Sequence, residues 1–248
     1  TTFGQEGGYL EVIESNDWDF STGDYTAEAW VYMTGTDNYV FATLIGGSWW
    51  GLNFWTNNSS WSIRAGYNSK HEYTKVEWSY RRWYHVAVAR ESGTSRLFLD
   101  GQMLEQLADT DNLDSTGALQ VGRDANGWNK KFAGLISNAR IIKGTALYTA
   151  SFTPSSTPLT NVTNTKLLCC QSKTSPTEAA VAPPAVSYFT GGSTLTWDDS
   201  PIGNIYTLSN GNKTATAGGG GAGYSNADAW SIAIPANSTY AWTLEITN

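Results

Sequence analysis

This sequence has few charged residues. Aspartate, glutamate, lysine and arginine make up 15% of its 248 residues, against roughly 25% in an average soluble protein. The formal net charge is −7, and the only adjacent basic pairs are Arg81-Arg82 and Lys130-Lys131. Binding to a phosphate backbone requires clustered lysine and arginine. The composition therefore argues against nucleic acid as a partner.

Long apolar runs are also missing. No stretch approaches the roughly 18 apolar residues of a transmembrane helix, and no signal peptide opens the chain, so we expect no membrane insertion. The chain starts at Thr1 without an initiator methionine and ends in the strand-like residues WTLEITN. We expect a segment of a longer polypeptide.

Cysteine occurs twice, at the adjacent positions Cys169 and Cys170. Neighbouring Cα atoms lie about 3.8 Å apart, below the usual disulfide range of roughly 4.4–6.8 Å. Neighbouring side chains of a strand also point to opposite faces. We therefore expect two free thiols and no disulfide scaffold, which fits folding in a reducing compartment.

Aromatic residues and glycine are abundant, with 12 Trp, 13 Tyr and 25 Gly, and the organising stretch is residues 82–105. Residues 83–90 alternate between two faces, which is typical of a strand. Residues 95–99 form a second predicted strand, followed directly by Asp100-Gly101. Asp-Gly between two apolar runs favours a type I′ hairpin turn. The stretch therefore predicts a three-stranded meander.

Further strands are predicted at spacings near ten residues, and no amphipathic helix is convincing. They cover residues 8–13, 25–33, 38–45, 50–56, 60–65, 117–122, 132–142 and 165–170. Short strands at this spacing indicate an all-β, antiparallel sandwich or barrel. Two segments lack this pattern: an acidic loop over 106–116, and residues 143–164, which should wrap the surface irregularly.

The composition predicts two β segments joined by a linker. Residues 1–172 form the first β domain, and 173–186, rich in Pro, Ala, Thr and Glu, read as a semi-extended linker. Residues 187–248 hold four or five short predicted strands, with Asn210-Gly211 as a hairpin turn. So few strands would struggle to close a core alone, so we expect an incomplete module.

The order and spacing of several segments carry a resemblance to a known superfamily. These segments are GGYLEV, DYTAEAWVYM, WYHVAVAR, LFLDG, LQVGRD, FAGLISNARIIKGTALY, FTP and TKLLCCQS. Residues 1–172 resemble the laminin-G-like, concanavalin-A-like jelly roll, and GLISNARIIKGTALYTASFTP most resembles copies in virion proteins of marine and cyanobacterial phages. Residues 187–248 weakly resemble the start of a SPRY-like sandwich. The resemblance implies two antiparallel sheets packed face to face, with a role in recognition or virion structure.

The sequence offers little for catalysis. Glycosidases hold two carboxylates about 5–10 Å apart, but Glu28 is alone on its predicted strand, and the E-x-D-x-x-E type strand of enzymatic relatives is absent. A catalytic triad needs a positioned histidine. His85 is expected to be a satisfied residue of the sheet, and His71 lies in a polar stretch and is expected to be exposed. We predict no catalytic residues and no enzyme.

A metal site has one candidate loop. Asp109, Asp111 and Asp114 resemble the opening of a calcium loop, and some relatives bind calcium at one edge of the sandwich. An EF-hand would require Gly at its sixth position and Glu at its twelfth, where this chain has Asp114 and Gln120. No cofactor is expected, and calcium at this loop stays an alternative to a solvated acidic loop.

Aromatic side chains give the richest binding candidates. Four tryptophans fall within thirteen residues, at Trp49, Trp50, Trp55 and Trp61. Sugars bind with an apolar C–H face on an aromatic ring while Asn or Asp oxygens take their hydroxyls. We predict a carbohydrate site from Trp49, Trp50, Asp124, Asn126, Trp128 and Asn129. The alternatives are that Trp55 and Trp61 face the core, and that Trp49, Trp50 and Trp128, expected at turns, fill a subunit interface or pack locally.

We therefore expect a non-enzymatic phage virion protein, part of a fibre, a tail or a capsid decoration. Its lectin-like domain would bind host-surface polysaccharide weakly and gain strength by avidity. Its other partners would be virion proteins and further copies of itself, since a homo-oligomer is expected. It would be assembled in the host cytoplasm and work in the extracellular particle. The competing hypothesis is a purely structural module that decorates or cements the virion without binding a glycan.

Overall fold

The computed structural model describes residues 2–3, 8–35, 38–45, 48–57, 60–74, 79–125, 130–172, 175, 177–182, 186–189, 206–209 and 214–217. Its strands are β1 (Thr2–Phe3), β2 (Tyr9–Val12), β3 (Tyr25–Met33), β4 (Asn38–Ile45), β5 (Ser48–Asn57), β6 (Ser60–Tyr67), β7 (His71–Tyr73), β8 (Trp83–Glu91), β9 (Thr94–Leu99), β10 (Gln102–Ala108), β11 (Leu119–Val121), β12 (Gly134–Lys143), β13 (Thr165–Cys169), β14 (Ala179–Val181), β15 (Val186–Phe189), β16 (Tyr206–Ser209) and β17 (Thr214–Ala217). A single 3-10 turn spans Asn16–Trp18 in this part of the chain. No helix among the described residues is long and apolar enough to cross a membrane.

Two antiparallel sheets form a sandwich within the first of two units, Thr1–Gly191. Sheet 1 has the strand order β10-β9-β8-β3-β12-β13-β14, and β1 also pairs with β12. Sheet 2 has the order β15-β2-β11-β4-β5-β6-β7. The all-β, antiparallel jelly-roll sandwich expected from the sequence is therefore confirmed.

The hydrophobic core lies between the two sheets because alternate side chains of each strand point inward. The inward residues of β3 are Tyr25, Ala27, Ala29, Val31 and Met33, and those of β5 include Trp50, Leu52 and Phe54. The remaining side chains of each strand lie on the face turned away from the core, which we call the outer face of that sheet.

The predicted meander is present as β8, β9 and β10. Its second turn has left-handed backbone at both central residues, with φ of 47° at Asp100 and 77° at Gly101, as a type I′ hairpin requires. Strand β10 continues to Ala108, so the acidic loop begins later than predicted. Its pairing with β9 extends to Ala108, opposite Thr94.

Two strands continue the sandwich beyond the predicted boundary at residue 172. Strand β14 lies within the predicted linker and pairs with β13 at the edge of sheet 1, where a proline-rich flank is compatible with a strand. Strand β15 pairs with β2 in sheet 2. In the second unit, Gly192–Asn248, the hairpin predicted around Asn210-Gly211 is present as β16 and β17.

A segment without strands, residues 144–164, crosses the outer face of sheet 1, and we call it the strap. Tyr148 and Phe152 of the strap stack on each other, with ring centroids 3.6 Å apart. They cover Ala87, Ala89 and Phe98 of β8 and β9. The prediction that this region wraps the surface irregularly is confirmed, and the strap covers the part of the outer face formed by β8 and β9.

Candidate functional site

Two of the predicted sugar-binding residues, Trp49 and Trp50, lie in β5 rather than at a turn. Trp50 is 0% exposed, and its indole N–H donates to the Tyr25 hydroxyl oxygen at 3.3 Å. This is a correction, because a side chain in the core cannot reach a glycan. Trp49 lies on the outer face of sheet 2, half-buried against Tyr39 with ring centroids 5.9 Å apart.

The loop of Asp124 follows β11. Asp124 is 2% exposed, and its backbone N–H donates to the carbonyl of Lys130 at 2.9 Å, which closes the loop. A buried carboxylate at the base of a loop supports the loop more directly than it binds a hydroxyl from solvent. Asn126, Trp128 and Asn129 lie outside the described residues, so their role stays a prediction. The side chains of Trp55 and Trp61 are likewise outside the description.

Two carboxylates of the acidic loop, those of Asp109 and Asp111, form ion pairs with basic side chains of the same protein. Lys70 Nζ lies 2.9 Å from Asp111 and 3.8 Å from Asp109. Arg90 is fully buried, 3.5 Å from Asp109, and donates to three backbone carbonyls nearby, those of Ser21, Gly23 and Asp111.

The third predicted calcium ligand, Asp114, has different partners. It accepts hydrogen bonds from the Ser21 hydroxyl at 2.6 Å and the Asn112 amide at 2.9 Å, and these bonds lower the pKa of its carboxyl. In the part of the chain that the structure describes, no three His, Cys, Asp or Glu side chains come together as a metal site. Calcium binding at this loop stays a prediction of the sequence.

A buried polar network lies on the outer face of sheet 1 beneath the strap. Glu28 of β3 bonds to His85 Nε2 at 3.0 Å, to Arg140 Nε at 2.8 Å and to the Tyr148 hydroxyl at 2.8 Å. Burial raises the pKa of the Glu28 carboxyl, but the His85 hydrogen bond and the Arg140 charge outweigh it and hold the pKa below its usual value. Glu28 is therefore held as an ionised, fully paired carboxylate.

The expectation that His85 is a satisfied residue of the sheet holds for one ring nitrogen only, since Nε2 bonds to Glu28. Its Nδ1 atom has no hydrogen-bond partner among the described residues. A glycosidase needs a second carboxylate on the far side of the scissile bond, whereas the groups around Glu28 are a histidine, an arginine and a phenol. This arrangement stabilises the docked strap, and its described groups include no second carboxylate beside Glu28.

A second histidine was predicted to be exposed, and this was wrong. His71 of β7 is 0% exposed, with Nε2 at 2.6 Å from Ser95 Oγ and Nδ1 at 2.9 Å from Glu105. The contacts join the edge of sheet 2 to β9 and β10 of sheet 1. Because β7 is only three residues long and its neighbours are polar, the sequence pattern alone gave no sign of this burial.

An aromatic surface occupies the part of the outer face of sheet 1 next to the strap. It consists of Trp30 and Tyr32 of β3 and Trp83 of β8. Tyr32 and Trp83 are cross-strand neighbours with ring centroids 5.6 Å apart. The ring centroids of Trp30 and His85 are 5.3 Å apart. Trp83 is 40% exposed. These rings form a half-open apolar surface.

An ion pair borders the aromatic surface. Arg82 lies beside Trp83 in sequence, and its guanidinium is 2.9 Å from Asp100, whose other oxygen accepts the backbone N–H of His85. The sequence analysis missed this surface, although the alternation of residues 25–33 and 83–90 already placed its aromatic side chains away from the core-facing ones. What the alternation could not supply was the pairing of β3 with β8 that brings Tyr32 beside Trp83.

Comparison with known families gives one match. The profile of the family described as "Concanavalin A-like lectin/glucanases superfamily" matches residues 4–148. Among curated proteins, no sequence matches the chain.

Several solved structures are similar. One is a protein from Bacteroides ovatus to which carbohydrate binding is ascribed, at 21% identity and a TM-score of 0.44, with 56% of this chain and 42% of that chain covered. Another is domain 4 of the extracellular arabinanase AbnA from Geobacillus stearothermophilus in complex with arabinotriose, at 18% identity and a TM-score of 0.47, covering 58% and 70%. A third is the LG4-5 domains of the mouse laminin alpha1 chain, at 13% identity and a TM-score of 0.42, covering 62% and 46%.

Proposed function

The chain belongs to the concanavalin A-like lectin/glucanases superfamily, and from this premise we propose that it is a non-enzymatic carbohydrate-binding module. The observation that carries the proposal is the aromatic surface of Trp30, Tyr32 and Trp83. Apolar side chains that are exposed together as one patch mark a binding surface, whereas single exposed apolar residues are common on any protein.

The chemistry of the surface suits a sugar chain. An aromatic ring offers an apolar face to the C–H groups of a pyranose, and Trp83 is 40% exposed. Polar partners stand at its border, because Arg82 is exposed and Asp100 is half-buried beside it. An open surface whose polar groups stand at its border fits an extended glycan bound weakly rather than a small ligand enclosed in a pocket.

The non-enzymatic part of the proposal rests on how the titratable groups are used. Glu28 is neutralised by Arg140 and covered by the strap. The Ser95–His71–Glu105 arrangement has the order of a hydrolase triad, but Ser95 is 0% exposed, so a substrate carbonyl cannot reach its hydroxyl. Both sets of groups contribute to the structure of the sandwich.

We place this module in a phage virion, on the strength of the resemblance of residues 134–154 to virion proteins. There it would bind host-surface polysaccharide, and many copies would compensate for weak single sites through avidity. Other virion proteins and further copies of the chain would be its protein partners. A purely structural role in virion decoration is the competing function, and the binding experiment separates the two.

The test is binding of the immobilised chain to a panel of bacterial surface polysaccharides at high density. We expect wild-type binding and at least about a tenfold loss of affinity in Trp83→Ala, equivalent to about 1.4 kcal/mol. Ile13→Ala is the control, because Ile13 is apolar and similarly exposed but does not belong to the aromatic surface. Thermal unfolding of each variant confirms that it is folded.

A third variant, Trp128→Ala, distinguishes binding at the aromatic surface from binding at the loop of Asp124. If Trp128→Ala abolishes binding and Trp83→Ala does not, the site is the loop of Asp124 and the assignment to the aromatic surface is wrong. If the wild-type chain binds no polysaccharide, the carbohydrate proposal fails and structural decoration takes its place.

A further inference from the structure

Cys169 and Cys170 bring two thiols into contact inside the sandwich. Their Sγ atoms lie 3.7 Å apart, and the residues are 1% and 2% exposed. Both belong to the same hydrophobic core. Consecutive residues of a regular strand would direct their side chains to opposite faces, so this contact requires a break in the strand geometry.

The backbone of Cys170 supplies that break. Strand β13 ends at Cys169, and Cys170 has a left-handed φ of 61°, which is uncommon for a residue other than glycine, asparagine or aspartate. The turn is held in place, since the carbonyl of Cys170 accepts the N–H of Asn138 at 3.4 Å and the Gln171 amide donates to Asn138 Oδ1 at 2.9 Å. A conformation of this kind persists only where its surroundings enforce it.

We propose that Cys169 and Cys170 are a reversible redox-modification site, at which a small-molecule disulfide oxidant converts the two thiols into a vicinal disulfide. In the first step a thiolate of the pair attacks the oxidant, the oxidant's S–S bond breaks, and one thiol is released. In the second step the neighbouring thiolate attacks the mixed disulfide, the Sγ–Sγ bond forms, and the second thiol leaves. The chain gives up two protons and two electrons, and the oxidant becomes two thiols.

The spacing of adjacent residues determines how easily a disulfide between Cys169 and Cys170 would be reduced. The Cα atoms of adjacent residues are closer than an ordinary disulfide prefers, so the bond is strained and easily reduced. In a reducing cytoplasm the dithiol form would persist, and a more oxidising medium would favour the disulfide. The neighbouring sulfur and burial both raise the pKa of the Cys169 thiol, so oxidation is slow at neutral pH and faster in alkaline solution.

Access to the buried pair needs only a local opening. Cys170 follows the last residue of β13, and the next residues, Gln171 and Ser172, are half-buried. The ends of strands open at a lower free energy than the centre of a sheet. We expect such an opening to admit an oxidant of the size of glutathione disulfide without unfolding of the sandwich.

The experiment incubates the folded wild-type chain with excess glutathione disulfide at pH 8.5, quenches with acid and digests with trypsin. Cleavage after Lys166 and Lys173 gives a peptide of residues 167–173 that holds both cysteines. We expect this peptide to lose two hydrogen atoms by mass and to regain them with dithiothreitol. In Cys169→Ser and Cys170→Ser this change should be absent.

Circular dichroism before and after oxidation shows whether the chain stays folded. A wild-type peptide that stays reduced, that carries a stable glutathione adduct, or that appears as a disulfide-linked dimer overturns the proposal. So does oxidation that occurs only in urea. Because the wild-type masses are decisive alone, the test stands even if a serine variant fails to fold.

Discussion

The Nε2 atom of His71 lies 2.6 Å from the hydroxyl oxygen of Ser95, and this contact ties the edge of sheet 2 to sheet 1. His71 belongs to β7, whereas Ser95 belongs to β9. The other ring nitrogen of His71 is 2.9 Å from Glu105 of β10. Both ring nitrogens are therefore used to hold two sheet edges together at the side of the sandwich where β10 and β7 meet.

Replacing His71 with alanine should destabilise the fold by about 1–3 kcal/mol for each buried partner left without its hydrogen bond. The free energy of unfolding in urea measures the effect. Glu72→Ala is the matched control, because Glu72 is the next residue of β7 but pairs with Arg64 at the surface, where an ion pair contributes about 0–1 kcal/mol. Equal losses in both variants would contradict the role of His71 in joining the sheets.

The same histidine should make stability depend on pH. Burial lowers the pKa of His71 below its usual 6.5, and this outweighs the opposing effects of Glu105 and Asp109, while the charge of Lys70 lowers the pKa further. The unfolded chain therefore binds more protons than the folded chain as the pH falls below about 6.5. Stability should be highest above that pH and should fall as His71 is forced to accept a proton.

Urea midpoints at pH 7.5, 6.5 and 5.5 check the expected slope. His71→Gln keeps a polar side chain at this position but does not titrate, so its midpoint should change less over the same interval. The lowered pKa of Glu28 predicts a separate loss of stability below about pH 4.5, which lies outside this range. A His71→Gln variant with the full wild-type slope would show that another group is responsible.

The strands could be predicted from the sequence because their alternation is a local property. Residues 25–33 and 83–90 each show period two, and both are strands in the structure. The pairing of β3 with β8 and β12 joins positions far apart in the chain, and no local pattern contains it. For this reason Glu28 was correctly seen as the lone acid of its strand, while its partners His85, Arg140 and Tyr148 could not be foreseen.

The residues of the candidate site also divide into those that a local pattern predicts and those that depend on the pairing of distant strands. Trp50 was expected at a turn although it opens the predicted strand 50–56, whereas β5 begins at Ser48 and directs Trp50 into the core. The aromatic surface needed the pairing of two strands before Tyr32 and Trp83 became neighbours. Loop residues such as Asp124 were recognised by residue type, and only the folded structure shows that its carboxylate is buried.

The buried ion pair of Glu28 and Arg140 should contribute far more to stability than an exposed pair of similar length. Glu28→Gln removes the counterion of a guanidinium that is nearly buried, and breaking a buried pair from one side costs about 3–5 kcal/mol. Arg82→Gln removes the Arg82–Asp100 pair, which at 2.9 Å is close to the 2.8 Å between Glu28 and Arg140 Nε but is exposed, and should cost about 0–1 kcal/mol. Thermal and urea unfolding measure the stability of the two variants. Equal losses in the free energy of unfolding would contradict this expectation.

Two glycines with nearly the same backbone should respond differently to alanine, and the difference measures how the strap is docked. Gly101 and Gly144 have φ of 77° and 79°, so each substitution carries the cost of a left-handed alanine, about 1–2 kcal/mol. A Cβ at Gly144 meets no atom within 4 Å, whereas one at Gly101 would lie 1.9 Å from the Phe152 carbonyl oxygen. Gly101→Ala must therefore push the strap away from the hairpin turn.

We expect Gly101→Ala to be less stable than Gly144→Ala by about 1–3 kcal/mol, the usual cost of overpacking. Hydrogen exchange gives the more specific measurement, because the Phe152 N–H donates to the Gly101 carbonyl at 2.8 Å. That amide should exchange faster in Gly101→Ala and stay protected in Gly144→Ala. Equal protection in both variants would mean that the contact at the turn contributes nothing to docking, and that the other contacts of the strap, such as the Tyr148–Glu28 hydrogen bond, hold it in place.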